Sequence, residues 1–408
     1  MLKVNQPEHR LLINSALIKF ILAFSILYIF SLSPVLLIIA CLAYFSLSRN
    51  NNLIIQFIFS LLLLYSFSLI YSSREVGFFL DDFSNQYYPW YIYAKNNSFS
   101  EYFITYPFKE GFSFYIEFGF NIFIFLLSKL PFYFNINELI FIVTFFTSGI
   151  FFIWLRLALV TKVPEKYKNL ALMVGLVFFS YGLASQLTRQ MLSSVFLLFY
   201  LFPIHEKRNI LYLILSTTFH FTGIVVAAIY FYIKITRLWG LLVLLGTVAL
   251  FQIFGFIIFS VIDLPFLQNF DKLDFYRSES QNILSTDFST LYLTFVLCFA
   301  AFFTKEYWNH NLFFLSMAFV LLYILLLPLP LASFRITLLL TTCLFGPIII
   351  LFLIENFDET LARIGALFIS CIWVIRRLPI LESSNFSAWT AFDLIYFIPF
   401  RHFYEIFG

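Results

Sequence analysis

Apolar runs of roughly 15 to 25 residues recur almost from end to end of this chain, and that recurrence decides what it can fold into. A helix of about 20 residues matches the ~30 Å hydrocarbon core of a bilayer. Backbone polar groups find no water there, so each helix satisfies its own. The expected class is an all-α polytopic membrane protein. Composition agrees, because 62% of the residues are hydrophobic and 12% charged, about half the charged share of a soluble domain. Polar surface is too scarce to coat a water-soluble globule of this size. A formal charge of +3 gives no reason to expect a nucleic-acid partner. The 60 phenylalanines read first as codon bias in an AT-rich genome, with carbohydrate stacking by a few of them left open. Cys41, Cys298, Cys343 and Cys371 lie in apolar runs with no C-x-x-C pair and read as small buried hydrophobes.

Bilayer segments are expected near 11–30, 34–48, 53–72, 138–155, 169–187, 190–204, 209–233, 240–262, 289–304, 312–331, 336–354 and 361–378. The first lacks a small-residue cleavage site and reads as a retained helix. With 114–130 as a re-entrant or interfacial piece, about 12 or 13 helices form one membrane domain of GT-C-like character. Its parts are N-terminal helices at 1–72, a long loop at 73–137, core helices at 138–262, a second loop at 263–288, and C-terminal helices and tail at 289–408. Positive charge orients the chain. Lys3, Arg10, Lys19, Arg156, Lys162, Lys166, Lys168, Lys207, Arg208 and Lys305 all fall in the cytoplasm if 114–130 does not cross fully and 209–233 turns back. Both long loops then face outward, the second carrying Asp263, Asp271, Asp274 and Arg277.

An ionisable group inside the membrane costs roughly 2.5–3.5 kcal/mol on insertion scales and needs a reason. Arg189 lies in the polar island Ser185-Gln186-Leu187-Thr188-Arg189-Gln190, and reads either as a snorkelling arginine or as an anion-binding one. His220 follows Arg208 by 12 residues, roughly 18 Å of helix, which places it at membrane depth. It is either a satisfied neutral histidine or a ligand-facing donor or base. Arg335, after Pro328, Pro330 and Ser333, reads as an interface anchor or a functional arginine. In Asp81-Asp82-Phe83-Ser84-Asn85-Gln86-Tyr87-Tyr88-Pro89-Trp90-Tyr91, acids interleave with rings. That suits sugar binding, or an interfacial aromatic belt with solvated acids. No P-loop, dinucleotide fingerprint, H-E-x-x-H or nucleophile elbow occurs, so there is no ATPase, protease or hydrolase signature.

The order of motifs resembles the EpsG family of bacterial exopolysaccharide proteins, which overlaps the Wzy-type O-antigen polymerases. Arg189-Gln190, the basic turn His205-Glu206-Lys207-Arg208-Asn209 and Phe219-His220 carry the likeness, with 31 residues between Arg189 and His220. Upstream, Asp82, Tyr87, Tyr88 and Glu117-Phe118-Gly119-Phe120 resemble the family's Asp-Tyr and Glu-Pro-Gly-Phe stretches, with Phe118 replacing the proline. Arg335 resembles a late family arginine.

The resemblance implies a glycosyltransferase without a cofactor or metal, in a bacterial inner membrane with its site facing the periplasm. It would join polyprenyl-diphosphate-linked oligosaccharides, drawn from membrane lipid, and a chain-length regulator protein is an expected partner. Arg189, Gln190 and Arg335 are then the diphosphate-binding candidates, and Tyr87, Tyr88 and Trp90 the sugar-binding ones. His220 is expected to donate to the diphosphate or act as base, with Asp81, Asp82 and Glu117 competing for the base. The rival readings are a GT-C-type transferase of single sugars from a lipid-phosphate donor, and a flippase for the lipid-linked glycan.

Overall fold

The computed structural model describes residues 34–49, 52–72, 82–105, 118–204, 209–261, 288–304, 311–326 and 335–377, and among them every regular element is helical. In chain order the helices begin with α1 (Pro34–Leu47), α2 (Leu53–Ser72), α3 (Tyr88–Asn96), α4 (Phe99–Thr105), α5 (Phe118–Ser128) and α6 (Ile136–Trp154). They continue with α7 (Lys168–Phe178), α8 (Tyr181–Gln186), α9 (Thr188–Leu201), α10 (Ile210–Phe219) and α11 (Thr222–Thr236). The last five are α12 (Leu238–Val261), α13 (Phe288–Phe302), α14 (Asn311–Leu325), α15 (Phe345–Asn356) and α16 (Glu359–Arg377). Phe83–Tyr87, Leu155–Val160 and Leu339–Leu344 wind as π-turns.

Among the described residues, three helical stretches, Leu53–Ser72, Ile136–Val160 and Arg335–Asn356, are long and apolar enough to cross a bilayer. Shorter apolar helices surround them. Within the described residues the apolar runs become helices near where hydropathy placed them, but two are broken. The run expected at 169–187 stops at Phe178 and resumes at Tyr181, with Phe179 extended at φ −61° and ψ 134° and its ring packed between Phe151 at 4.7 Å and Tyr181 at 5.2 Å. The run at 209–233 is cut into α10 and α11 at His220. The 73–137 stretch carries α3, α4 and α5 with an aromatic core of their own, including Tyr87, Trp90, Tyr91, Phe120 and Phe125. The first apolar run, the second long loop and the tail from Leu381 lie outside the described residues.

Helix starts follow local chemistry. Asn135 accepts the Glu138 N–H at 2.9 Å while the Glu138 carboxylate accepts the Asn135 N–H at 2.6 Å, a capping box for α6. At the centre, α7 packs directly on α15. Gly346 leaves room for the Val174 carbonyl, which would lie 2.6 Å from an added Cβ. Phe178, Phe345 and Trp373 stack beside that crossing with ring centroids 4.6 to 5.3 Å apart.

The pair α2 and α7 gives the bundle two recognisable ends. At one, Gln56 donates to Asn169 at 2.7 Å and Asn169 donates to the Ser48 carbonyl at 2.8 Å. At the other, Tyr71 packs on Gly182 and on the Tyr181 ring. The 15 residues from Gln56 to Tyr71 on α2 separate these ends by roughly 22 Å.

Candidate functional site

The Tyr181 end leads straight into α9 and its second residue, Arg189. Leu187, before it, has no polar side chain to cap the first N–H groups, so this helix start presents positive partial charge. Opposite it stands the π-turn Phe83–Tyr87. A π-turn bonds residues five apart, here Tyr88 N–H to the Phe83 carbonyl. The same spacing brings the Tyr87 hydroxyl onto Asp82 Oδ2 at 3.1 Å.

Tyr87 links that carboxylate to Arg189. Arg189 Nε donates to the Tyr87 oxygen at 3.0 Å, and Arg189 Nη2 donates to Gln86 Oε1 at 3.2 Å. The guanidinium also lies 5.4 Å from the Tyr87 ring centroid and 5.5 Å from that of Trp90, within cation–π range. Burial pushes the Tyr87 phenol above its ordinary pKa, against the opposing pull of Arg189. The phenol therefore keeps its proton for Asp82 and offers Arg189 a lone pair.

Next along α9, Gln190 Nε2 donates to the Arg335 carbonyl at 2.5 Å, fastening the start of the Arg335–Asn356 helix to α9. One of the two N–H donors of this amide is thereby given to the protein. Gln190 therefore holds the backbone of Arg335 in place.

The His220 region reaches the same helix from the other side. His220 is extended, with φ −159° and ψ 135°, between α10 and α11. The chain bends so sharply there that a Cβ on Gly223 would lie 2.2 Å from Ser216 Oγ, although a straight helix separates residues seven apart by roughly 10 Å. The imidazole Nδ1 accepts the Thr222 backbone N–H at 3.2 Å and contacts Thr222 Oγ1 at 2.9 Å. A backbone N–H only donates, so Nδ1 is an acceptor and the ring proton belongs on Nε2. Gly119, at the start of α5, lets that helix approach the Thr218 backbone, which would lie 3.0 Å from an added Cβ. Phe120 then packs 4.6 Å from the Tyr87 ring.

Asp82, Tyr87, Trp90 and Arg189 thus form one cluster, and Gln190 and the Arg335 backbone adjoin it. His220 meets the same α9 helix, its carbonyl accepting from Ser193 Oγ at 3.2 Å. Tyr87 and Trp90, at 1% and 2% exposure, lie in the core beside the Arg189 guanidinium. Tyr88 is half-buried on another face of its helix, near Tyr91. Asp81 and Glu117 lie outside the described residues. Ser193, which donates to the His220 carbonyl, is a contact the sequence reading missed. Ser193 had one signal, its position four residues after Arg189 on the same helix face.

A model of the EpsG family matches residues 76–390, a span that contains every residue of this cluster. The chain belongs to the EpsG family. Membership places it among membrane polymerases of the exopolysaccharide and O-antigen type. No curated protein and no solved structure matches it. The EpsG-family motifs converge through backbone chemistry as much as through side chains. The glycine of Glu117-Phe118-Gly119-Phe120 allows contact beside His220, and the Arg-Gln pair holds both the acidic-aromatic turn and Arg335.

Proposed function

We propose that this protein polymerises oligosaccharide repeat units carried on polyprenyl diphosphate at the outer face of the bacterial inner membrane. The observation that carries the reading is Arg189, a guanidinium at a helix start, oriented by the Tyr87 and Gln86 oxygens over two buried rings. Such a group suits a diphosphate, because the fork and the helix N–H groups both favour anions.

The reaction follows from the chemistry of such a substrate. A hydroxyl oxygen of the incoming repeat attacks the anomeric carbon of the growing chain and forms the new glycosidic bond. The bond from that carbon to the diphosphate oxygen breaks, and polyprenyl diphosphate departs with the electron pair. The configuration at the anomeric carbon inverts. Arg189 and Arg335 offset the charge that builds on the leaving group. His220, protonated on Nε2, donates to the diphosphate. A carboxylate takes the hydroxyl proton, with Asp82 the candidate bonded into the cluster and Asp81 and Glu117 in the adjoining stretches. The energy resides in the glycosyl–phosphate bond.

The test is complementation of a strain lacking this protein, read as a glycan ladder. Arg189→Ala is expected to accumulate in the membrane and yield single-repeat glycans, because loss of one preorganised charge-stabilising donor lowers turnover by about 10²–10³-fold. Long chains from that variant overturn the role of Arg189. Addition of one sugar in place of a ladder by the wild type assigns the protein to single-sugar transfer.

A further inference from the structure

We infer that Ser193 is a positioning residue that fastens the His220 break to the helix carrying Arg189; this rests on the polymerase reading above. Arg189 and Ser193 are four apart on α9, so they share a face about 6 Å apart along the axis. Ser193 and Ser216 are buried, at 1% and 0% exposure. Ser193 Oγ lies 3.2 Å from the His220 carbonyl and 3.0 Å from Ser216 Oγ, and Ser216 Oγ lies 2.9 Å from the Ser193 carbonyl. The His220 carbonyl also accepts the Gly223 N–H at 3.1 Å.

Each hydroxyl has one proton to give. Ser216 donates to Ser193, through its carbonyl or its hydroxyl oxygen, which leaves the Ser193 proton for the His220 carbonyl. The two lone pairs of that carbonyl are then filled by Gly223 and Ser193. This orients the peptide that leads to Thr222, whose N–H sets the tautomer of the imidazole. Gly223 completes the clasp by having no side chain, since a Cβ there would lie 2.9 Å from Ser193 Oγ. One helix therefore fixes the separation between the anion-binding arginine and the histidine donor.

The two serines separate this role from simple packing. Ser193→Ala leaves the Ser216 bond to the residue 193 carbonyl intact but frees the His220 carbonyl from α9. Ser216→Ala removes a hydroxyl of equal burial and leaves Ser193 bonded to His220. Purified full-length protein in proteoliposomes would be given the lipid-linked repeat isolated from a strain lacking this protein, and kcat and KM for chain extension measured. Ser193→Ala is expected to lower kcat about tenfold with KM unchanged, and Ser216→Ala to change either by less than about twofold. Equal losses in both variants, no loss in Ser193→Ala, or a rise in KM in place of the fall in kcat overturns the positioning role. Should Ser193→Ala fail to accumulate, Ser193→Cys, close in volume and weaker as a donor, is read by the same split. A wild type that makes no ladder sinks the polymerase reading itself, whatever the serines do.

Discussion

Arg363 and Arg189 organise opposite ends of the bundle, and different chemistry holds each of them. Arg363 Nε donates to the Glu359 carboxylate at 3.1 Å, Nη1 to the Ser46 carbonyl at 2.9 Å and Nη2 to the Lys166 carbonyl at 2.6 Å. Every nitrogen of that fork meets a fixed acceptor, and one acceptor is an anion. The result ties the end of α1, the segment before α7 and the start of α16 together. Among the contacts of Arg189 are a phenol, a carboxamide and two ring faces, and Asp82 is reached across the Tyr87 hydroxyl. Both guanidiniums are oriented. In the first the charge is used to join segments; in the second it is placed at a helix start where an anion is welcome.

Charge-preserving substitution separates these uses most sharply. A lysine keeps the positive charge but loses the planar fork. Arg189→Lys is expected to lower chain extension by about a hundredfold, because the diphosphate and the Tyr87–Gln86 seat both call for a fork. Arg363→Lys is expected to leave ladder length intact and to reduce stability in detergent by about 1 kcal/mol, as acceptors at a partly buried junction go unmatched. Ladders from both variants and their thermal unfolding give the two readouts. A short ladder from Arg363→Lys, or a normal one from Arg189→Lys, ends the contrast. A smaller change follows from Tyr87→Phe, which keeps the ring beneath the guanidinium and deletes the oxygen between Asp82 and Arg189. Loss of that one bond is expected to slow extension by about tenfold, with protein levels unchanged. A loss as deep as that of Arg189→Lys would mean that the hydroxyl does more than orient the arginine.

The same contrast marks what hydropathy and motif spacing make legible. Apolar runs located the helices, because bilayer thickness and helix rise leave little choice of length. Arg189 and His220 stood out because ionisable groups are costly in such surroundings, and Asp82 because acids interleave with rings in its loop. The positive charges called for a turn back within 209–233, but they did not say where it falls or what holds it. At His220 the interrupted backbone is satisfied by Ser193 from another helix, and a hydropathy profile carries no record of a partner more than twenty residues away. Trp90 and Tyr87 look like ligand-facing rings in sequence because burial is decided by α5 and α9 packing over them. Arg363 drew no notice, since a Glu359–Arg363 pair four apart resembles any solvated helix face. Its importance comes from two carbonyls in distant segments.

The weakest expected effect is also the most exacting for this comparison. Glu359 lies 3.4 Å from Arg49, 4.0 Å from Lys166 and 3.1 Å from Arg363, and its side chain is 26% exposed. Replacing it by glutamine removes the anion but leaves an oxygen that can accept from Arg363 Nε. The two bonds from Arg363 to main-chain carbonyls also remain. Partly exposed ion pairs of this kind contribute about 0–1 kcal/mol, and salt screens them. Glu359→Gln is therefore expected to lower the unfolding temperature in detergent by only a degree or two at low ionic strength, because one kcal/mol corresponds to about 2–4 °C in a protein of a few hundred residues. The deficit should shrink toward zero as salt rises, and the glycan ladder should match the wild type at every salt concentration. If the deficit persists in high salt, the carboxylate acts through geometry and Arg363 depends on it as a fixed acceptor. If the ladder shortens while stability holds, this end of the bundle takes part in polymerisation, and the division between a joining arginine and an anion-binding one no longer describes the molecule.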